Sequence, residues 1–322
     1  MHIFIVGGTG FIGYHTVHEC LRRGYTVTVL ALPPMPADEL LPPQVEIRLG
    51  NLNALPDTDV RALLHGHDAV VYAAGADDRV TPKAPAYRFF YAENVKAAAR
   101  FFRLAREAGV RRGVLLGSYF ATFDRLWPEM ELTRYHPYIW SRVAQAEQAL
   151  NAAAPDLELM ILELGYIFGS MPGRTPLWKP LIDYINSPLP LFYPQGGTNM
   201  IAVEHVAEAI AGAIERGVGG ERYPIGDENL TWAVWLERLT ALLGKRKRVI
   251  AIPSGVVRLG ARVLTLWHRW QRRESGLNPV KFIDVQTRDT FLDPTPSREA
   301  LGYGCGGLDA ALAKTVEACL RA

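Results

Sequence analysis

Residues 7–13 read Gly7-Gly8-Thr9-Gly10-Phe11-Ile12-Gly13. An apolar run, Ile3-Phe4-Ile5-Val6, precedes them, and a helical pattern with Ile12, Thr16 and Cys20 on one face follows. The glycines satisfy two spacings at once, Gly7/Gly10/Gly13 and Gly8/Gly10/Gly13. Glycine at such positions allows a tight turn, a close approach of backbone to a pyrophosphate, and tight helix–strand packing. The helix N-terminus then stabilises the phosphate charge. The stretch therefore reads as a dinucleotide cradle, with Gly7, Thr9, Gly10, Phe11, Ile12 and Gly13 as its contacts.

Outward from this loop, strand and helix alternate. Gly24 stops the first helix. Tyr25–Leu32, Asp68–Ala74, Gly113–Ser118 and Leu157–Leu164 read as strands, and Glu93–Ala108 and Tyr138–Ala153 as helices. The strands are apolar on both faces, which predicts a parallel sheet covered by helices. After about residue 170 the texture changes. The stretch 171–197 is dense in Pro, Gly and aromatics and reads as an irregular pocket wall or lid. Helices follow at Ala202–Arg216, at Thr231–Leu243 (Thr231 as N-cap, Gly244 beyond its end), at Ser254–Arg273 and at Leu308–Arg321. The division is 1–168 for a dinucleotide-binding domain. Residues 169–322 then form a smaller, mainly substrate-binding α/β domain, with some segments returning to the first. In Ser254–Arg273, Val256, Leu259, Val263, Trp267 and Trp270 share one side, with Arg258, Arg262, Arg269 and Arg273 on the other. This helix reads as a solvated cover of the second domain in preference to a membrane contact.

Bulk composition narrows the classes. The 322 residues are 49% hydrophobic, ample for a sizeable core. Lys plus Arg is 35 against 33 for Asp plus Glu, a net charge of +2 that leaves no nucleic-acid footprint. Cys20, Cys305 and Cys319 form no Cys-x-x-Cys pair, and their odd number argues for reduced thiols in a cytoplasmic protein. The apolar start Met1–Val6 is too short for a signal peptide, and no stretch reaches the ~18 apolar residues of a membrane span. His15 with His18, and His65 with His67, lack the carboxylate or cysteine that would complete a metal site, so none is expected.

Two further features carry chemistry. Ser118 stands at the C-terminal end of a strand, where open α/β sheets place their sites. Tyr138-Ile139-Trp140-Ser141-Arg142 puts a phenol and a cation one helical turn apart. Such a pair holds a phenol near a fixed charge, or is an ordinary helix-surface contact.

Together these motifs resemble the extended short-chain dehydrogenase/reductases, which include the NAD-dependent epimerases and dehydratases, over nearly the whole chain. Gly-Gly-Thr-Gly-Phe-Ile-Gly is similar to that family's cofactor loop. Gly50-Asn51-Leu52 is similar to its Gly-Asp-Leu, which contacts adenine. Asp68-Ala-Val-Val-Tyr-Ala73-Ala74, Asn94-Val95 and Leu115-Leu116-Gly117-Ser118 match its later strands and helix. The stretch 138–142 falls where the family has Tyr-x-x-Ser-Lys. Gly219-Gly220-Glu-Arg-Tyr-Pro-Ile-Gly and Ser297-Arg-Glu-Ala-Leu-Gly-Tyr resemble dihydroflavonol reductase and 3β-hydroxysteroid dehydrogenase. The resemblance implies a Rossmann fold and NAD or NADP as cofactor. It implies contacts from Asn51, Leu52, Ala73, Ala74, Leu164 and Ile167. Asn94 joins them or acts as scaffold. It also implies a catalytic set of Ser118, Tyr138 and Arg142, and a homodimer through helices 93–108 and 138–153.

Three departures qualify it. The family lysine is Arg142, which keeps its charge but cannot relay a proton. The second strand ends Leu30-Ala31-Leu32-Pro33, without the acid that reads the ribose of NAD or the base that suits NADP. Asp38 and Glu39 come only after a proline-rich turn. Tyr166 stands where nucleotide-sugar enzymes carry an Asn for the pyrophosphate. Aromatics at Phe89, Phe90, Tyr91, Trp127 and Tyr135, and at Trp140, Trp178, Phe192 and Tyr193, gather around the expected cleft. The reading is an NAD(P)-dependent oxidoreductase interconverting a hydrophobic or aromatic ketone and its alcohol. A nucleotide-sugar epimerase or dehydratase using the cofactor transiently is the first alternative. A non-catalytic NAD(P)-binding sensor is the second.

Overall fold

The computed structural model describes residues 1–34 and 40–322. Asp38 and Glu39 lie outside the described residues. Seven strands form one parallel sheet: β1 (His2–Val6), β2 (Thr26–Ala31), β3 (Glu46–Leu49), β4 (Ala69–Tyr72), β5 (Arg112–Ser118), β6 (Glu158–Leu164) and β7 (Arg222–Ile225). Their order is β7-β6-β5-β4-β1-β2-β3. The order reverses between β1 and β4, and that switch point opens a crevice at the strands' C-terminal ends. Strands β1, β4 and β5 are nearly all buried because helices cover both faces. One face packs Val17 and Cys20 of helix Phe11–Arg22 together with Val206, Ile210 and Ile214 of helix Val203–Arg216. The other packs Phe101, Phe102 and Leu104 with Ala146 and Ala149.

The chain crosses out of this layer after β6. Gly197–Ala202 is the centre of a second sheet, flanked by Tyr166–Phe168, Glu228–Thr231 and Asp289–Thr290. Trp232, Trp235 and Phe168 form its core. Helix Val203–Arg216 and β7 then return to the first layer, so the layers are not split by a single cut in the sequence.

Three expectations need correction. The segment 171–197 is not wholly irregular. It contains helix Lys179–Asn186 and strand Leu191–Tyr193, which pairs with Val249–Ala251. Pro180 is tolerated because it sits in the helix's first turn, where no intrahelical N–H bond is lost. The helix expected at 93–108 begins at Ala86 and passes through a π-turn, Tyr91–Lys96, before continuing as Ala97–Glu107. That widened turn carries Asn94, whose side chain bonds elsewhere. Helix Ser254–Trp270 does not lay its apolar side on the second domain: none of its residues is buried.

Candidate active site

The glycine loop leaves β1 at the switch point. Gly7 takes a positive φ of 82°, and its N–H donates to the carbonyl of Leu30. A Cβ on Gly7 would lie 2.6 Å from the carbonyl oxygen of Ala73, and one on Gly13 only 2.1 Å from that of Gly7. These glycines seat the loop against β4 and the helix against the loop. Gly10, Phe11, Ile12 and Gly13 face a cavity of ≈ 490 Å³ running along the C-terminal strand ends.

The same cavity reaches Ala73 and Ala74 after β4, Ser118 at the end of β5, and Leu164 and Ile167 beside β6. Tyr138 and Arg142 close its far end from helix Pro137–Ala153. Pro137 starts that helix at a position where its missing N–H costs nothing. The Tyr138 N–H is satisfied instead by Gly276, whose carbonyl accepts it at 2.9 Å.

Burial pushes the Tyr138 phenol above its ordinary value. The Arg142 guanidinium is the main opposing influence, Asp78 adds to the rise, and the Ser118 hydroxyl makes a smaller contribution downward. The phenol is therefore protonated at neutral pH. Arg142 is buried. One of its terminal nitrogens, Nη2, donates to the Leu116 carbonyl, while Nε has no protein partner. Its charge thus stays beside Tyr138 and on the cavity wall.

Asn94 is fully buried and does not line the cavity. Its Oδ1 accepts from the Ala76 N–H at 2.8 Å, and its Nδ2 donates to the Ser141 hydroxyl at 3.1 Å. Ser141 in turn donates to the Tyr138 carbonyl at 2.7 Å. Asn94 therefore ties the loop after β4 to the first turn of the Tyr138 helix. Other expected cofactor residues also stand apart from the cavity lining, Gly7 among them. Leu52 is buried in the core, and Asn51 is exposed and commits its Oδ1 to the Asn53 N–H. Thr9 also lies outside the cavity wall.

Of the nine aromatics expected around the cleft, only Trp178 lines the cavity. The aromatic wall is built from Phe11, Tyr119, Phe120, Tyr166 and Trp178. Tyr166 stacks on Trp178 with ring centroids 5.2 Å apart. Four charged groups on the wall, Asp77, Asp78, Arg79 and Arg174, were missed as well. Asp78 lies on the wall facing Tyr138, held above the usual carboxylate range first by burial and then by Asp77. Arg174 reaches over the glycine loop, its Nη1 3.7 Å from where a Cβ on Gly10 would sit. It is the first cation in the proline-rich segment, the one sequence signal it carried.

The residues fit a dinucleotide. The loop has no room for side chains beneath it, Arg174 supplies positive charge above it, and the Arg142 guanidinium lines the far end. Among the described residues no three His, Cys, Asp or Glu side chains form a metal-binding group, and no helix is long and apolar enough to cross a membrane.

Comparison with known proteins agrees with this geometry. The NAD dependent epimerase/dehydratase family matches residues 3–226. A protein of Synechocystis sp., provisionally named dihydroflavonol 4-reductase, is 24% identical, covering 97% of this chain and 93% of its own. The 4-hydroxy-2-methyl-3-oxo-4-farnesyl-3,4-dihydroquinoline-1-oxide ketoreductase of Stigmatella aurantiaca is 25% identical over 94% of this chain and 92% of its own. The crystal structure of gox2253 superposes with a TM-score of 0.81 at 20% identity, covering 99% of this chain and 98% of that one.

Proposed function

The chain belongs to the NAD dependent epimerase/dehydratase family, and from that premise we propose that it is an NAD(P)-dependent reductase of a hydrophobic ketone. One observation carries the reading: Ser118, Tyr138 and Arg142 meet at one end of a cavity whose other end is the glycine loop. When bound, the nicotinamide supplies the hydride. Ser118 hydrogen-bonds the carbonyl oxygen of the substrate. Tyr138 gives that oxygen its phenolic proton, a task suited to a phenol that stays protonated at neutral pH. Arg142 stabilises the tyrosinate left behind, and its guanidinium on the cavity wall offers a donor to a ribose hydroxyl. The tyrosinate recovers its proton from water, because Arg142 has none to relay.

The aromatic wall supports an apolar substrate. Tyr166, at the position where sugar-nucleotide enzymes place an amide, is stacked on Trp178 and offers no amide to a pyrophosphate. The Stigmatella relative is named for a farnesylated ketone, which favours the same class. Arg174, over the glycine loop, bears on the choice between NAD and NADP. A homodimer through the helices around residues 93–108 and 138–153 fits their outer face, where Tyr87 and Tyr91 are exposed and Tyr87 packs against Trp140. The unpaired Cys20, Cys305 and Cys319 fit the cytoplasm.

The test is a panel of aryl and prenylated ketones with NADH or NADPH. The proposal expects one cofactor oxidised per ketone reduced. Conversion of a nucleotide sugar with no net change in cofactor would replace it with the epimerase reading.

A further inference from the structure

Helix Ser254–Trp270 is mounted the reverse way from a covering helix. Its partly covered side carries Val257, Arg258, Ala261, Thr265 and His268 and faces helix Pro279–Gln286, to which Arg258 is tied by an ion pair with Asp284. Its solvent side carries Val256, Leu259, Val263, Leu266, Trp267 and Trp270, a stripe at helical spacing. Trp270 is 80% exposed. Isolated exposed apolar residues need no explanation, but a continuous stripe over four turns ending in two tryptophans does.

Charge identifies what covers it. Between residues 254 and 273 there are five arginines and no acidic residue, in a chain whose net charge is only +2. Arg262, Arg269 and Arg272 make no ion pair among the described residues. Arg269, Arg272 and Arg273 also border a second cavity of ≈ 510 Å³, between this helix and Pro137. Glu274, on the same cavity, is engaged with the Ala86 N–H at 2.7 Å. A second copy of the chain would bring the same positive charges face to face. An anionic surface with an apolar interior satisfies both the stripe and the arginines.

We propose that helix Ser254–Trp270 docks this protein on an anionic lipid bilayer, with the stripe in the acyl boundary and the arginines at the headgroups. The helix lies in the interface plane and does not span the membrane. Its C-terminal end runs directly into Gly276, which contacts the catalytic helix so closely that a Cβ there would lie 2.6 Å from Phe90 and 3.0 Å from the Cβ of Tyr138. Docking therefore brings the catalytic helix to the membrane surface. In a protein that reduces a hydrophobic ketone, this shortens the path from bilayer to cavity. That last step rests on the proposed function, whereas the docking does not.

Vesicle flotation tests it, using phosphatidylglycerol–phosphatidylcholine vesicles against pure phosphatidylcholine. The 322-residue chain is expected to float with the anionic vesicles, to float much less with the neutral ones, and to be released by salt. The double variant Trp267→Ser/Trp270→Ser and, separately, Arg262→Glu/Arg269→Glu should each bind at least about tenfold more weakly. Both should keep wild-type cofactor affinity, which shows that they remain folded. Tryptophan fluorescence should shift to the blue on binding in the wild type and in the arginine-intact Leu259→Ala control. Failure of the wild type to float, or flotation of either double variant equal to that of the wild type, overturns the proposal. So does a wild-type dimer that Trp267→Ser/Trp270→Ser converts to monomer, which would assign this face to a second copy.

Discussion

The guanidinium carbon of Arg142 lies 5.9 Å from the centroid of the Tyr138 ring, one turn further along the same helix. The two residues form the only part of the proposed catalytic set that a local spacing rule could link. The cation lowers the cost of a tyrosinate, but burial of the phenol outweighs it, so the net displacement is upward. That balance favours proton donation over proton removal near neutral pH.

Asp78 and Arg142 pull the phenol in opposite directions, and this gives a pH test. Alcohol oxidation requires the tyrosinate, so its rate rises with pH until Tyr138 is ionised. Removing the negative charge by Asp78→Asn should move that rise to lower pH. Removing the positive charge by Arg142→Met should move it to higher pH. Each displacement is expected at about half to one pH unit. Profiles of kcat/KM for the two variants check it; movement in the same direction would contradict the assignment.

Two loop glycines should fail differently. Gly13→Ala places its Cβ 2.1 Å from the Gly7 backbone oxygen, so the fold itself must shift, at a cost of about 1–3 kcal/mol. At Gly10 the nearest atom is 3.1 Å away and the added methyl enters the cavity side. Gly10→Ala should leave the melting temperature within a few degrees of wild type and weaken NADH binding by about tenfold or more. Fluorescence titration and thermal unfolding of the two variants distinguish these outcomes.

His136 precedes helix Pro137–Ala153 and is 1% exposed, with its Nδ1 accepting from the Asn278 N–H at 3.0 Å. Burial, assisted by Lys281, lowers its pKa from 6.5 to about 4. The folded protein therefore holds a neutral ring that the unfolded chain would protonate below pH 6.5. This contribution is fully present above 6.5 and is lost as pH falls from there to about 4, amounting to roughly 2–4 kcal/mol. His136→Asn keeps an acceptor for Asn278 and removes the titration. Denaturant unfolding between pH 7 and 4 should show a shallower loss of stability in the variant.

Much of the nucleotide half was legible because its signals are local. Glycines 7, 10 and 13, the two-sided apolar strands and the Tyr138–Arg142 spacing each specify their own neighbourhood. What the sequence concealed depends on tertiary placement. Tyr119 and Phe120 follow a strand end that could have turned either way, and Tyr166 lies on a short strand of the other sheet. Asp78 and Arg174 sit on loops without periodicity, so nothing in their spacing aims them at the cavity. Leu52 matched a family motif but is held in the core by its own hydrophobicity. The periodicity of Ser254–Trp270 announced an amphipathic helix but not which side would meet the protein, and its small and polar face proved to be the inner one.

The most direct measurement is cofactor binding and ketone turnover in wild type, Tyr138→Phe and Arg142→Lys, run in parallel. The account predicts that all three bind NADH or NADPH. Wild type reduces a hydrophobic ketone, Tyr138→Phe loses at least about a hundredfold in kcat, and Arg142→Lys is no better than wild type. Binding without turnover in wild type, with activity appearing in Arg142→Lys, would contradict it. The site would then have kept its fold and its cofactor after losing the chemistry.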